Sequence, residues 1–587
     1  MKKLEWDLNE LFESDDQFYQ SIKEVKDSVQ KFMHYKQEIL DDAETLEKTL
    51  IEYWKIKEKL NNILIYGSLS YYKNINSERA INLKKDAECF NNEITTTLKF
   101  IDNKILELGL EKITKFIEEN PKLKIYELSL HNLFRMKKHI QSDEVNQKIK
   151  EINNHINDNI NLYNQLMKNI KYGTIEINGK TIEICSSNFV KYISSRNREI
   201  RQKTYLEVNK NFQKESNQFY DILNHIIHYR IEMAKIENYD TVLEKVLFTE
   251  NIDSKILDSL IQSVNNNLNL IQEYLKIKSD MLGIETPHLY DFVVPLDSDL
   301  KIKYSLEDAV SIIKNALSPL GSEYMKAVEY LLNSHIDAIP DENKHQSITF
   351  SWHTYSFMNF RGSYVDLKNM IHELGHIVNY YLSKNNLPFL YEDSTIFVGE
   401  TASIVNEILL NRYLREHAET EEEKLFYLSK EIENYFTSVF KQTMYTEYEN
   451  ELYLLNSSEC LTSNLLSKKY YELLKKYYGE NIEYDDEAGV EWTRLGHLYR
   501  WSYYPYKYAT GLLIASNVVN SLIDEKTLTK DQYIDFLSSG SSLYSLDLLK
   551  KLNIDLTNLN VINDGFKVLK KDINELKKIQ SNIAKNK

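Results

Sequence analysis

Residues 253–278, DSKILDSLIQSVNNNLNLIQEYLKIK, carry the pattern that decides the fold class. Apolar side chains recur there at spacings of three and four residues, as from Leu257 to Leu260 and from Ile271 to Leu275. That spacing is the period of an amphipathic helix. Similar runs lie at 16–65, 79–120, 142–170, 198–235, 305–333, 420–450 and 563–582. The sequence therefore predicts a mainly α-helical protein.

Turn-forming residues are scarce, which agrees with long helices. The chain of 587 residues contains 15 glycines and 7 prolines, whereas a protein of many short strands needs such residues between its strands. The clearest β signal is the pair of alternating stretches at 174–177 and 181–184, joined through Asn178-Gly179, a strong two-residue hairpin signal. A chain of this length is expected to form more than one packed unit, and the most plausible boundary lies near residue 190.

Charge and cysteine usage exclude several classes of partner. The formal net charge is -16, which opposes binding to nucleic acid or to anionic membranes. No stretch approaches the roughly 18 apolar residues of a membrane span. Cys89, Cys185 and Cys460 are far apart and form no C-x-x-C pair, so neither a disulfide framework nor a thiolate zinc site is indicated. The sequence predicts a cytoplasmic protein and leaves the oligomeric state open.

A metal-binding pattern, H-E-x-x-H, stands at 372–376 inside a helical stretch. Four residues advance a helix by about one turn, so His372 and His376 project from the same face and can reach one cation. Glu373 lies too far around the helix to join them, yet is placed to take a proton from water on the metal. Ser363 to Asp366 predicts a capping box at the helix start. Gly375 predicts close backbone packing beside the site.

A hydrolytic zinc site needs a third protein ligand and a free fourth position, and a carboxylate is the usual third ligand. Glu400, followed by apolar, helix-compatible residues, is the candidate. Glu407 lies two turns further on and either hydrogen-bonds a ligand imidazole or is a plain surface carboxylate; the sequence does not choose. Glu392 and Asp393 are interpreted as surface carboxylates.

These residues resemble the oligoendopeptidase F branch of the thimet oligopeptidase family of zinc metallopeptidases. The resemblance begins at the metal motif and extends over nearly the whole chain, most clearly from about 285 to 515. The stretches that carry it are His372-Glu373-Leu374-Gly375-His376, Phe397-Val398-Gly399-Glu400-Thr401-Ala402-Ser403, Asn406-Glu407, Trp6-Asp7-Leu8, His288-Leu289-Tyr290-Asp291, and Tyr506-Lys507-Tyr508-Ala509-Thr510-Gly511.

The resemblance implies a two-lobed helical metallopeptidase fold with a deep central channel, and oligopeptides as substrates. The expected organisation is an N-terminal helical lobe at 1–190, with the hairpin near 174–184, and a catalytic domain at 191–587. One Zn²⁺ per chain is expected on His372, His376 and Glu400, with Glu373 as general base. A late histidine and a late tyrosine, matched to His497 and Tyr508, are expected to contact the peptide bond and stabilise its oxyanion.

Two further expectations concern the surroundings of the site. The family often has a histidine three residues after the second ligand, where this chain has Asn379, and that places a neighbouring hydrogen bond in doubt. The extended stretch from Tyr355 to Phe360 precedes the metal helix and is expected to be an edge strand that pairs with substrate backbone.

Two other functions remain open at this stage. A helical zinc carboxypeptidase shares H-E-x-x-H but requires a free substrate C-terminus, so amidated peptides distinguish it. A catalytically silent peptide-binding protein is disfavoured because zinc binding alone does not require a base at Glu373.

Overall fold

The computed structural model describes residues 4–37, 42–296, 300, 302–346, 348–456 and 461–586. The chain is mainly helical, as its periodicity predicts, and divides into two compact units. Unit 1 comprises 1–140, 302–410 and 529–552, and unit 2 comprises 141–301, 411–528 and 553–587. Each unit is thus assembled from three separate segments of the chain. Cys460 lies outside the described residues.

The first half of the chain contains thirteen of the α-helices. In chain order they are α1 (Asp15–Phe32), α2 (Ala43–Lys73), α3 (Glu78–Leu98), α4 (Phe100–Leu108), α5 (Leu110–Glu119), α6 (Glu127–Met136), α7 (Asp143–Asn169), α8 (Phe189–Ile193), α9 (Arg198–Lys214), α10 (Ser216–Ile236), α11 (Val242–Thr249), α12 (Lys255–Asn266) and α13 (Leu268–Leu282). The opening stretch 253–278 is therefore two helices, because the chain turns at Asn267.

The second half contains the remaining α-helices of the described chain. They are α14 (Leu306–Leu317), α15 (Ser322–Ser334), α16 (Tyr364–Asn386), α17 (Ile396–Glu416), α18 (Glu421–Tyr435), α19 (Lys441–Asn456), α20 (Ser463–Tyr478), α21 (Gly496–Arg500), α22 (Pro505–Val519), α23 (Lys530–Leu537), α24 (Ser545–Lys550), α25 (Leu559–Asp564) and α26 (Lys567–Asn586).

Short helical turns of other types connect these elements. The 3₁₀ turns are Leu8–Glu10, Met33–Lys36, Pro121–Tyr126, Lys137–His139, Leu289–Val293, Ser318–Leu320, Phe389–Tyr391 and Asp486–Arg494. Two π-helical turns, Phe436–Phe440 and Asn520–Asp524, extend α18 and α22.

The predicted hairpin is present in unit 2. Strands β1 (Thr174–Ile177) and β2 (Lys180–Glu183) pair antiparallel. Asn178 and Gly179 form the turn with φ of 51° and 73°. Both residues tolerate these left-handed values, and this turn type matches the twist of the strands it joins.

A three-stranded sheet in unit 1 corrects one expectation. Strands β3 (Ile336–Asp337), β4 (Phe350–Trp352) and β5 (Tyr355–Phe357) have the order β3-β5-β4. The stretch from Tyr355 therefore forms the central strand, since β4 and β3 occupy its two sides. Among the described residues, β4 is the strand beside the metal helix that has one neighbour only. The predicted edge strand is β5, the second strand of a tight hairpin, whereas the open edge belongs to β4, the first strand of that hairpin.

Unit 1 has an extensive apolar core within the first segment of the chain. Buried side chains of α1 to α6, including Phe18, Leu46 and Phe90, form one cluster. A second cluster joins Trp6 to Tyr355 and Phe357 of the sheet. The amino-terminal stretch thereby packs directly against the elements that precede the metal helix.

The boundary near residue 190, between an N-terminal lobe and a catalytic domain, stays a prediction. The compact units follow another partition, in which residue 190 lies inside the first segment of unit 2. Among the described residues, no helix pairs enough length with enough apolar character to span a lipid bilayer.

Candidate metal centre

Helix α16 presents the two histidines of the metal pattern. Its start is fixed by the predicted capping box: Ser363 Oγ accepts the Asp366 N–H at 3.1 Å, and the Asp366 carboxylate accepts the Ser363 N–H at 3.0 Å. From this start, one helical turn places His372 and His376 on the same face. Their Nε2 atoms lie 3.1 Å apart.

Helix α17 brings the carboxylate. One ligand atom each from His372, His376 and Glu400 lies within 4.8 Å of the others. This close approach depends on Gly375, because a Cβ at that position would lie 2.5 Å from Ser403 Cα and 2.9 Å from the Ala402 carbonyl oxygen. The close backbone packing expected at Gly375 is therefore present between α16 and α17.

The second nitrogen of each imidazole has its own partner. His372 Nδ1 lies 2.6 Å from Glu407 Oε1, and His376 hydrogen-bonds the backbone of Gly399. Glu407 is held in turn by Lys368, 3.0 Å away. Of the two interpretations left open for Glu407, the geometry favours the partner of an imidazole. The two Nε2 atoms lie 3.1 Å apart, and a carboxylate oxygen of Glu400 lies within 4.8 Å of one nitrogen of each ring.

The charges of this group depend on burial and on the carboxylates. Burial lowers the pKa of His372, but the hydrogen bond and charge of Glu407 outweigh it and raise that pKa to about 9. Burial, assisted by the charge of His372, lowers the pKa of His376 to about 3. Burial raises the pKa of Glu407, yet Lys368 and His372 bring it down to about 2. One imidazole is thus protonated and the other neutral at pH 7 in the metal-free protein.

Glu373 lies beside this group without joining it. Burial raises the pKa of its carboxyl, while the charge of His372 and a side-chain hydrogen bond from Ser351 of β4 act in the opposite direction. A buried carboxylate with a raised pKa is a better proton acceptor than one in water. Burial likewise raises the pKa of Glu400.

Two neighbouring positions have structural roles. Glu392 is buried, with 7% exposure, and accepts a hydrogen bond from Tyr380 Oη at 2.7 Å, so its interpretation as a surface carboxylate is wrong. Its neighbour Asp393 is exposed. Asn379 is also buried and donates from Nδ2 to the Leu537 carbonyl oxygen at 2.7 Å. Asn379 thus ties the metal helix to α23, which belongs to the last segment of unit 1.

The two donors expected in the late segment lie together in unit 2. The rings of His497 and Tyr508 have centroids 6.0 Å apart, and both side chains are partly exposed. Tyr504 joins the group, with its ring 5.3 Å from Tyr508. By contrast, the neighbouring tyrosines are buried in the core: Tyr499, Tyr503 and Tyr506.

Sequence reasoning did not single out two residues of these groups. Ser351 carries no pattern of its own, and only the fold brings it to Glu373. Tyr504 was one of several tyrosines in this stretch of sequence. Helix α22 starts at Pro505, and a projection of the sequence along this helix places Tyr504 on a different side from Tyr506, whose ring is buried.

Comparison with known proteins identifies relatives of the whole chain. A model of the family "Oligopeptidase F" matches residues 104–166. Oligopeptidase PepF of Bacillus subtilis (strain 168) is 28% identical over 597 residues, covering 99% of this chain and 88% of that protein. The oligoendopeptidase F homolog of Borreliella burgdorferi is 26% identical over 584 residues, covering 98% of both. The resemblance to the oligoendopeptidase F branch is confirmed.

Solved structures share the fold. A crystal structure from Chlamydophila abortus superposes with a TM-score of 0.89 at 26% identity and covers 98% of each chain. Oligoendopeptidase-F from Enterococcus faecium gives a TM-score of 0.72 at 22% identity, covering 97% of this chain and 99% of that one. A model of peptidase family M3 matches residues 191–568, which include every residue of the H-E-x-x-H helix and of the helix that carries Glu400. This chain therefore belongs to peptidase family M3.

Proposed function

We propose that this protein is a zinc-dependent oligoendopeptidase that hydrolyses internal bonds of short peptides. Membership of family M3 makes the chain a metallo-oligopeptidase. The observation that carries the more specific proposal is the convergence of His372, His376 and Glu400, with Glu373 next to them. One zinc ion per chain is proposed on the three ligands.

The donor set suits zinc. Two nitrogens bound to a tetrahedral zinc ion lie about 3.3 Å apart, and the two Nε2 atoms are separated by 3.1 Å. The anchoring of the other ring nitrogen of each histidine is the usual arrangement around a zinc ligand. Three protein ligands leave one of four positions for water or substrate.

The chain's own residues supply the proton transfers. A zinc ion held by His372, His376 and Glu400 would act as a Lewis acid and would lower the pKa of a bound water molecule to about 7. Glu373 accepts the proton at its carboxylate and later delivers it to the amine that leaves. His497 and Tyr508 donate hydrogen bonds to the carbonyl oxygen as negative charge develops there. Lys368 and Glu407 keep the His372 ring in place throughout.

Strand β4 is proposed to align the substrate. Its backbone is paired with β5 on one side, and its Ser351 contacts Glu373. Pairing through the main chain tolerates varied side chains, as a peptidase of broad range requires. This proposal replaces the expectation that the stretch from Tyr355 performs that role.

The direct test is cleavage of internally quenched fluorescent peptides by the purified protein. We expect cutting, its loss with a chelator and its return with zinc. Glu373→Gln should retain zinc and lower kcat by about 10³-fold or more, because the general base is lost. Glu329→Gln on α15, outside the metal centre, is the control. Full activity of Glu373→Gln contradicts the mechanism.

Peptides with an amidated C-terminus separate the two peptidase classes. An endopeptidase cleaves peptides with an amidated or a free C-terminus alike, whereas a carboxypeptidase does not cleave the amidated peptides. Mass spectrometry of the products identifies the bond that is cut.

A further inference from the structure

The segment from His497 to Tyr504 contains an unfavourable backbone conformation. It joins α21 to α22 and carries one proposed oxyanion donor at its start. Near its end, Tyr503 has a φ of 49°, a left-handed value that is uncommon and unfavourable for a bulky residue. Such a conformation persists only where surrounding groups impose it.

Glu449 of α19 is the group that holds this turn. Both of its carboxylate oxygens lie 3.0 Å from the Tyr503 nitrogen and accept its N–H. The glutamate is 2% exposed. Its hydrogen bond fixes the backbone one residue before Tyr504.

Arg230 of α10 holds the other end of the segment. Its Nη1 donates to the Leu498 carbonyl oxygen at 2.8 Å, one residue after His497. The guanidinium charge also acts on Glu449. Two opposite charges that attract each other thereby hold the backbone on both sides of 499–502.

Burial of this glutamate has a free-energy cost. An ionised carboxylate removed from water is costly, and an apolar side chain of similar size is often equally or more stabilising. Burial raises the pKa of Glu449 to about 7, with Arg230 and the Tyr503 N–H opposing the rise. Both carboxylate oxygens nonetheless lie within hydrogen-bond distance of the Tyr503 nitrogen, and this geometry indicates a role beyond packing.

We propose that Glu449 is a positioning residue that, with Arg230, fixes the backbone around His497, one of the proposed oxyanion donors, and around Tyr504, whose ring lies 5.3 Å from that of the other donor, Tyr508. This inference rests on the proposed function, because it assigns those donors to the reaction. A group that orients transition-state donors acts on kcat more than on KM.

The test compares two substitutions at Glu449 with the same two at Glu447. Glu449→Leu removes the acceptor, whereas Glu449→Gln keeps one acceptor oxygen. Glu447 is on the same helix, pairs with Lys476 at 2.7 Å and does not contact the segment. We expect Glu449→Leu to lower kcat by about tenfold or more with KM within about twofold, Glu449→Gln to recover most of the loss, and both Glu447 variants to keep kcat. Zinc content and the melting temperature are measured on every variant.

Tryptophan fluorescence gives a readout that needs no activity. Trp501 lies inside the segment and is 51% exposed. The fluorescence of Trp501 is obtained by subtracting the signal of the Trp501→Phe counterpart of each protein. We expect acrylamide to quench this fluorescence more readily in Glu449→Leu than in the wild type, because the segment is less firmly held. Should Glu449→Leu not fold, Arg230→Gln carries the same expectations for kcat and for quenching.

The outcomes separate the two proposals. A wild-type protein that cleaves no peptide overturns the proposed function. An active wild type with a folded, zinc-loaded Glu449→Leu of unchanged kcat overturns the positioning role alone. Equal losses in the Glu449 and Glu447 variants also overturn it, since they indicate a general effect of α19.

Discussion

His372 and His376 differ in the groups that hold them. A carboxylate faces Nδ1 of His372, and a backbone group of Gly399 partners His376. Each contact fixes which nitrogen carries hydrogen, so both Nε2 atoms are available to a cation. The carboxylate also raises the proton affinity of the first ring, with consequences for metal binding.

Zinc binding should release about one proton from His372 at pH 7. Its pKa is raised to about 9 in the metal-free protein, so the ring is protonated at pH 7 and must become neutral to coordinate a metal. Zinc affinity is therefore expected to rise with pH up to about 9. Calorimetric titration at pH 7 in buffers of different ionisation enthalpy should give a slope near one proton, and a slope of zero contradicts the assignment.

Glu407→Gln should weaken zinc binding by about 10- to 100-fold, the usual effect of losing a group that orients a zinc-ligating histidine. The substitution removes the negative charge 2.6 Å from His372 Nδ1. A competition titration against a chromophoric chelator measures the affinity. Glu416→Gln, on the exposed end of the same helix, should bind zinc as the wild type does. Equal affinities of all three proteins speak against a role for Glu407.

At the scale of elements, the contact between α16 and α17 decides whether the three ligands meet. Gly375→Ala should destabilise the protein by about 2 kcal/mol, because overpacking outweighs the roughly 1 kcal/mol gain in helix propensity. The neighbouring atoms are backbone of Ser403 and Ala402 and cannot rotate away. Gly399→Ala is the matched control, since its Cβ would meet His376 Nδ1 at an ordinary 3.6 Å. Thermal unfolding should show a clearly lower melting temperature for Gly375→Ala only.

The open edge of β4 gives a second expectation at this scale. Methylation of one peptide nitrogen in a substrate removes a main-chain donor while keeping every side chain. We expect a several-fold higher KM at the position that pairs with β4 and little change when the methyl is moved elsewhere along the peptide. KM values that are equal for the whole series of N-methylated peptides argue against strand pairing.

Helices were predictable from the sequence, but their breaks were not. The apolar period runs through 305–333, yet α14 and α15 are separated by a turn at Gly321, where φ is 98°. The same happens at Glu215 between α9 and α10, where no glycine or proline gives a signal. Amphipathic spacing reports which face is buried, and two helices that pack on one core can share that spacing across a bend.

The proximity of His372 and His376 was predictable because they lie four residues apart on one helix, α16. The approach of Glu400 depends instead on how α17 packs against α16. The role of Glu407 was undecided, since its partner is on another helix. The predicted position of the open sheet edge was wrong because the strand order depends on β3. This strand lies outside the hairpin and pairs with β5. The features that could not be predicted from the sequence are thus contacts between different helices and strands.

At the scale of the molecule, a fragment that begins at residue 191 should not fold. It lacks α1 to α6, whose side chains form an extensive core of unit 1, and it lacks Trp6, whose ring lies 5.5 Å from that of Phe357. We expect residues 191–587 expressed alone to be insoluble or to lack a cooperative thermal transition. A soluble fragment that binds zinc as the full chain does contradicts this expectation. Co-expression with residues 1–190 should restore folding.

The contact of Asn379 with Leu537 has a consequence for biosynthesis. The helix that carries the two histidines is tied to α23, which the ribosome makes after more than five hundred other residues. Since a ribosome adds about 5 to 20 residues per second, the nascent chain spends roughly 8 to 30 seconds with α16 complete but without this contact. The helix with the two histidines therefore gains this stabilising contact only late in synthesis, after both of its own ends and the helix with Glu400 have been made.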